Sequence, residues 1–108
     1  NNFLRTIPNN VIVEGHTDNV PISNYRYPSN WELSTARAVN VLRYFVENLG
    51  ENPSKFTAAG YGPFKPVAPN DTEANKSKNR RVNILILSSE KETGKKWVKI
   101  MNQNKKNL

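Results

Sequence analysis

"SNWELSTARAVNVLRYFVENLGENP", residues 29–53, decides the fold. Ser29 and Glu32 have the S-x-x-E spacing of a capping box, with Asn30 as a rival cap. Ala38, Val39, Leu42, Phe45, Val46 and Leu49 then recur at helical spacing as one apolar stripe. Gly50 supplies the stop and Pro53 prevents resumption. A helix with a single apolar face must be covered by another layer.

The flanks supply that layer. "VIVEG", 11–15, reads as a short buried strand. "HTDNVPISNYRYPSN", 16–30, is a long polar loop with two prolines, a type usually functional or mobile. "SKFTAAGYG", 54–62, reads as a second strand ending in two glycines. "PFKPVAPNDTEANKSKN", 63–79, is another polar segment, with a short helical turn at 72–78. "RRVNILIL", 80–87, is a third strand. It is largely apolar on both faces, as a central strand covered by helices would be. "NNFLRTIPNN", 1–10, looks like a helix end stopped by Pro8, and the segment from Glu90 suits a short amphipathic helix using Trp97, Ile100 and Met101. The order helix, strand, helix, strand, loop, strand, helix predicts an α/β two-layer sandwich: one small mixed sheet with helices on a face.

The 108 residues suit one domain, and 36% apolar content allows one modest core. Mean hydropathy is -0.73. No stretch approaches the roughly 20 apolar residues of a membrane helix. No secretory leader is visible, and the absence of an initial Met suggests an excised fragment. Cysteine is absent, which excludes disulfides, Cys zinc sites and Cys nucleophiles. The net charge is +7, and six Lys against two Glu from residue 90 onward supply more than half of it. Such a tail can bind nucleic acid or an anionic surface. Trp97 is its only aromatic residue and no nucleic-acid motif accompanies it, so a solvated extension is the reading adopted.

The chemistry concentrates in "GHTDNVPI", 15–22. His16 and Asp18 offer metal ligands, but zinc needs three or four, and the chain has one His and no Cys. A calcium loop needs clustered acids, and Asp18 stands alone in its loop. Ser34, His16 and Asp18 can be drawn as a triad, but no nucleophile elbow accompanies them. A glycosidase pair would need a second acid across a cleft, and Glu32 fills that role only by force. Binding without catalysis fits better. Asp18 can accept from an ammonium group. Arg37, half buried at the helix end nearest the polar loop, can grip a carboxylate in a bidentate fork. Together they would hold a zwitterion, or they would simply bridge each other; the spacing does not choose. Arg80 and Arg81 pose the same choice between ligand contacts and ion pairs to Glu14 or Glu32. Arg81 is assigned a structural role and Arg80 either one.

"VEGHTDNVPI", "NWELSTARAVNVLRYF", "AAGYGPFKPVAPNDT" and "NRRVNILI" occur in this order. Together, over residues 2–88, they resemble the OmpA-like peptidoglycan-binding domain, in the form found in flagellar motor stators. The resemblance implies a βαβαβ-type domain over residues 1–89, lacking its first strand and part of its first helix. Residues 90–108 are expected as a basic tail outside the match, with a helical reading; the resemblance does not cover it. The resemblance implies no catalysis, no cofactor and no metal. In this reading Asp18 and Arg37 hold the amino-acid end of diaminopimelate in the peptidoglycan stem peptide. Thr17, Asn30, Asn70 and Arg80 make supporting contacts, His16 orients the loop, and Arg81 is structural. It further implies a homodimer that ties a torque-generating stator to the cell wall. The domain would lie in the periplasm, joined to an inner-membrane segment and a channel-forming partner subunit, and would not bind nucleic acid. The alternative is a generic wall anchor of a lipoprotein or outer-membrane protein; a basic nucleic-acid binder acting through the tail is the reading from another class. Two departures stand out. The stretch from Asp18 to Arg37 is longer than in plain family members, and the usual Gly-Arg before "NRR" is here Asn75 and Lys76.

Overall fold

Strand β1, Val11–His16, is the first element of the sheet. The computed structural model describes residues 10–90 and 94–103; the helix end expected at the start of the chain lies outside them. Helix α1 follows at Asn30–Arg43, then strand β2 at Phe56–Gly60 and helix α2 at Glu73–Asn79. Strands β3, Arg81–Glu90, and β4, Gly94–Gln103, complete the sheet. The strand order is β2-β1-β3-β4. β1 and β2 run parallel, as a strand–helix–strand crossover requires, and the β1–β3 and β3–β4 pairs are antiparallel. The sheet is therefore mixed and backed by α1, the α/β sandwich expected.

Register decides which residues meet α1. Val11 lies opposite Ile86 and Val13 opposite Ile84, with Phe56 and Ala58 beside them on β2. Alternation sends this set to one face. There they meet Ala38, Val41 and Phe45, and Phe45 stacks on Phe56 with ring centroids 6.0 Å apart. The expected apolar stripe is displaced. Val39 is exposed and Val41 is buried, because Ser34 and Arg37 occupy the inward face of the first turns. Arg37, expected half buried, is buried; reading apolar letters alone passes over Ser34, which is fully inside.

The ends of α1 match their signals. The Ser29 hydroxyl accepts from Trp31 N and donates to Glu32, so Ser29, not Asn30, is the cap. The far end widens into a π-helical turn over Tyr44–Asn48 and stops at Gly50, whose φ of 75° suits glycine.

The tail differs from expectation. Gly94–Gln103 is a strand paired to β3, not an amphipathic helix. The register steps from Ile84↔Met101 to Leu85↔Lys99, leaving Ile100 as an extra residue. That bulge breaks the two-residue alternation, and Trp97, Ile100 and Met101 then imitate helical spacing. Val98 and Ile100 are β-branched and favour the strand.

Glycine fixes how close α1 comes to the sheet. A Cβ on Gly15 would lie 1.9 Å from the Ser34 carbonyl oxygen, and one on Gly60 would lie 2.0 Å from Thr35 Oγ1. Only hydrogen at these two positions lets the first turns of α1 rest on the ends of β1 and β2. That contact brings Arg37 beside the loop that begins with Thr17.

Candidate functional site

The loop after β1 is built by its own side chains. Thr17 N donates to Gly62 O at 3.0 Å, and Thr17 Oγ1 donates to Asp18 O at 2.8 Å. Asp18 Oδ1 accepts from Val20 N at 3.0 Å, an Asx turn that aims the carboxylate inward. Asn30 Nδ2 donates to Val20 O at 3.0 Å and ties the loop to the first residue of α1. Farther out, Asn24 Oδ1 accepts from Arg26 N and Tyr27 N and closes the long insertion as a second turn.

These constraints leave a cleft of about 290 Å³. Thr17, Asp18, Asn30, Arg37 and Arg80, all expected at a site, line it together. Val20, Pro21, Ile22 and Leu33 give it an apolar wall, and α2 contributes Glu73 and Lys76. Asn70 is not among the lining residues; its side-chain oxygen accepts from Asn79 at 2.8 Å.

Asp18 is 8% exposed and Arg37 is 8% exposed. The Asp18 ion pair is with Arg80, whose Nη1 donates to Oδ2 at 2.6 Å. The other arm of Arg80 meets Glu73. The ion pairs to Glu14 or Glu32 weighed for Arg80 are therefore replaced by Asp18 and Glu73, which α2 and the loop bring closer. Burial works against the Arg80 charge, but its bonds to the two carboxylates outweigh that and raise its pKa. Burial lowers the pKa of Arg37; the nearby Asp18 opposes this and Arg80 adds to it. A guanidinium stays charged regardless. The cleft therefore sets three cations, Arg37, Lys76 and Arg80, against two carboxylates, and burial strengthens the fields of Asp18 and Arg37. A carboxylate has about four lone-pair sites. Asp18, with its bonds from Val20 N and Arg80, keeps capacity for an ammonium group.

The residues behind the cleft hold it in place. His16 is buried and stacks on Tyr61 at 5.1 Å, with Nε2 3.4 Å from Glu14 Oε1. Burial, then the positive charge of Arg81, lowers its pKa, while Glu14 pulls it up. Ser34 Oγ donates to Trp31 O at 3.0 Å and accepts from Gly62 N at 2.9 Å. Its proton points to a carbonyl rather than to His16, so the drawn triad does not form. Arg81 is buried and donates to Lys65 O at 3.0 Å and Asn79 O at 3.4 Å. It staples the loop through carbonyl oxygens rather than through Glu14 or Glu32.

Sequence reading missed Asn79, which is fully buried. Its Oδ1 accepts from Val67 N and Ala68 N, and its Nδ2 donates to Ala68 O and Asn70 Oδ1. It also passed over Glu73. The available signal was Glu73, Lys76 and Arg80 at i, i+3 and i+7, one side of a short helix leading into the Arg pair.

A model of the OmpA family matches residues 2–80. The chain is 52% identical over 80 residues to Motility protein B of Bacillus subtilis (strain 168), covering 74% of this chain and 31% of that protein. It superposes on the C-terminal domain of Helicobacter pylori MotB with a TM-score of 0.76 and 32% identity, covering 82% of this chain and 68% of that one. The cell wall anchor of the T6SS from Pseudomonas aeruginosa gives a TM-score of 0.69 at 43% identity, covering 77% of this chain and 57% of that one. The chain spans about a third of the length of the curated relatives it matches first.

Proposed function

The chain belongs to the OmpA family, and from that premise we propose that it binds peptidoglycan non-covalently as the wall anchor of a flagellar motor stator. One observation carries the reading: Asp18 and Arg37, both buried, and the partly buried Arg80 converge on one cleft with an apolar wall. A zwitterionic amino-acid end fits that arrangement. Its ammonium group joins Asp18 and its carboxylate takes the fork of Arg37, while the apolar wall covers the methylene chain. Diaminopimelate in the stem peptide has this chemistry. Thr17, Asn30 and Arg80 hold the frame.

Nothing in this reading requires catalysis. Motility protein B, Helicobacter pylori MotB and the T6SS cell wall anchor carry the names of motility proteins and a wall anchor rather than of enzymes. The likeness to Motility protein B favours the stator over a generic lipoprotein or outer-membrane anchor. The domain then works in the periplasm as a homodimer. A membrane segment elsewhere in the protein joins it to a channel-forming partner, and the wall contact resists the reaction torque. Among the described residues no helix is long and apolar enough to cross a membrane.

The test is a pull-down with purified sacculi, run beside Asp18→Asn and Arg37→Ala. Wild type should sediment with the wall, and each variant should lose roughly 2–5 kcal/mol of binding while staying folded, the cost of breaking a buried charge-assisted pair. Equal binding by either folded variant would refute the grip.

A further inference from the structure

A second hollow of about 310 Å³ adjoins the cleft, and Pro21, Ile22 and Asn30 line both. Its character is opposite. No charged side chain lines it. Its floor is an aromatic pair: Trp31 and Phe64 stack with centroids 5.0 Å apart and planes at 30°. Both are large apolar residues left in the open, Trp31 50% exposed and Phe64 64% exposed. Neither belongs to the core cluster.

The pair is held firmly. Trp31 sits in the first turn of α1, where its N–H donates to the Ser29 cap. Phe64 follows Gly62, which has φ 61°, donates to Ser34 Oγ and accepts from Thr17 N. Phe64 N donates to Tyr61 O at 3.4 Å. The same bonds that shape the charged cleft therefore also fix the aromatic face. Asn19, Ser29 and Asn30 give it a polar rim.

We propose that the Trp31–Phe64 face is a sugar-binding subsite, taking one N-acetylated pyranose of the glycan strand while the charged cleft takes the stem peptide. This deepens the peptidoglycan reading and rests on it. A pyranose ring offers a face of C–H groups to the electron-rich face of an aromatic ring, and hydroxyl and amide groups to a polar rim. It is neutral, as the hollow is. The peptide is attached to the sugar, and a third stem residue lies at most about 10 Å along an extended chain. A ligand with one charged end and one neutral ring end matches two adjoining hollows of those characters.

The experiment titrates this chain with two soluble probes, the stem tripeptide ending in diaminopimelate and the same tripeptide on its N-acetylglucosamine–N-acetylmuramic acid disaccharide. Wild type should bind the disaccharide-peptide more tightly. Trp31→Ala and Phe64→Ala should each weaken that probe roughly 3- to 10-fold, the worth of one aromatic stack, and leave the tripeptide unchanged. Trp31→Phe should recover most of the loss. Three results overturn the subsite: no gain from the sugar in wild type, no effect of either variant, or equal weakening of both probes. Equal weakening together with a change in sedimentation coefficient would assign the face to contact between two copies of the chain. Failure of wild type to bind either probe would remove the peptide cleft as well, so the two readings fail distinguishably.

Discussion

Replacing Asn79 by Ala should destabilise the domain strongly, at a position outside the cleft lining. The carboxamide makes four hydrogen bonds to one segment: 2.8 Å to Val67 N, 3.1 Å to Ala68 N, 3.0 Å to Ala68 O and 2.8 Å to Asn70 Oδ1. The side chain is fully buried. A typical bond contributes about 0.5–1.5 kcal/mol net, and a buried group left unsatisfied costs about 1–3 kcal/mol. Val67 is exposed, so water recovers its N–H on truncation. Ala68, with both its N–H and its carbonyl bonded here, recovers less. The expected loss is about 2–4 kcal/mol. Urea unfolding should show a lower midpoint at unchanged slope. Hydrogen exchange at the Val67 and Ala68 amides should accelerate in the native state. A midpoint shift worth less than about 0.5 kcal/mol, the range of an ordinary surface change, would refute the reasoning.

Arg81→Ala should lower the melting temperature and leave ligand affinity alone. It removes charge-assisted bonds to two backbone carbonyls, worth about 1.5–3 kcal/mol, at a residue that does not line the cleft. An unchanged melting temperature would sink that assignment. Stability should also depend on pH through His16, the only histidine. Burial and Arg81 hold its folded pKa below the ordinary value of about 6.5. The unfolded chain therefore binds the proton more readily, so stability is complete above about 6.5 and falls as pH drops toward the folded value. Urea midpoints at successive pH values should show that slope, and His16→Asn should flatten it; a slope that survives the substitution would contradict the assignment.

How much of this was legible follows from range. Helix α1 was readable because its cap, stripe and stop are local signals carried by Ser29, Phe45 and Gly50. The strands β1, β2 and β3 were readable because apolar runs and glycine endings are local too. The face of α1 was misjudged at Ser34, which turns inward where Gly15 and Gly60 on other strands make room for it, whereas the burial of Arg37 was anticipated. β4 was misread because a bulge is defined by pairing, and pairing with β3 is absent from any window of the tail. At the site, Asp18 and Arg37 could be named from their chemistry. The partner of Asp18 could not, because Arg80 reaches it across 62 residues of chain. Asn70 does not line the cleft and accepts from Asn79, a pairing visible only in three dimensions.

The central claim is that Asp18 and Arg37 divide the two ends of a zwitterion between them. Titration calorimetry with two stem tripeptides tests it most directly, one ending in diaminopimelate and one in lysine. Both carry the side-chain ammonium group, but lysine lacks the second carboxylate, which diaminopimelate has on the same side-chain carbon. Wild type should prefer diaminopimelate by roughly 2–5 kcal/mol, the worth of a buried charge pair. Arg37→Ala should erase that preference, and Asp18→Asn should weaken both peptides. Equal affinity of wild type for the two peptides would contradict the account.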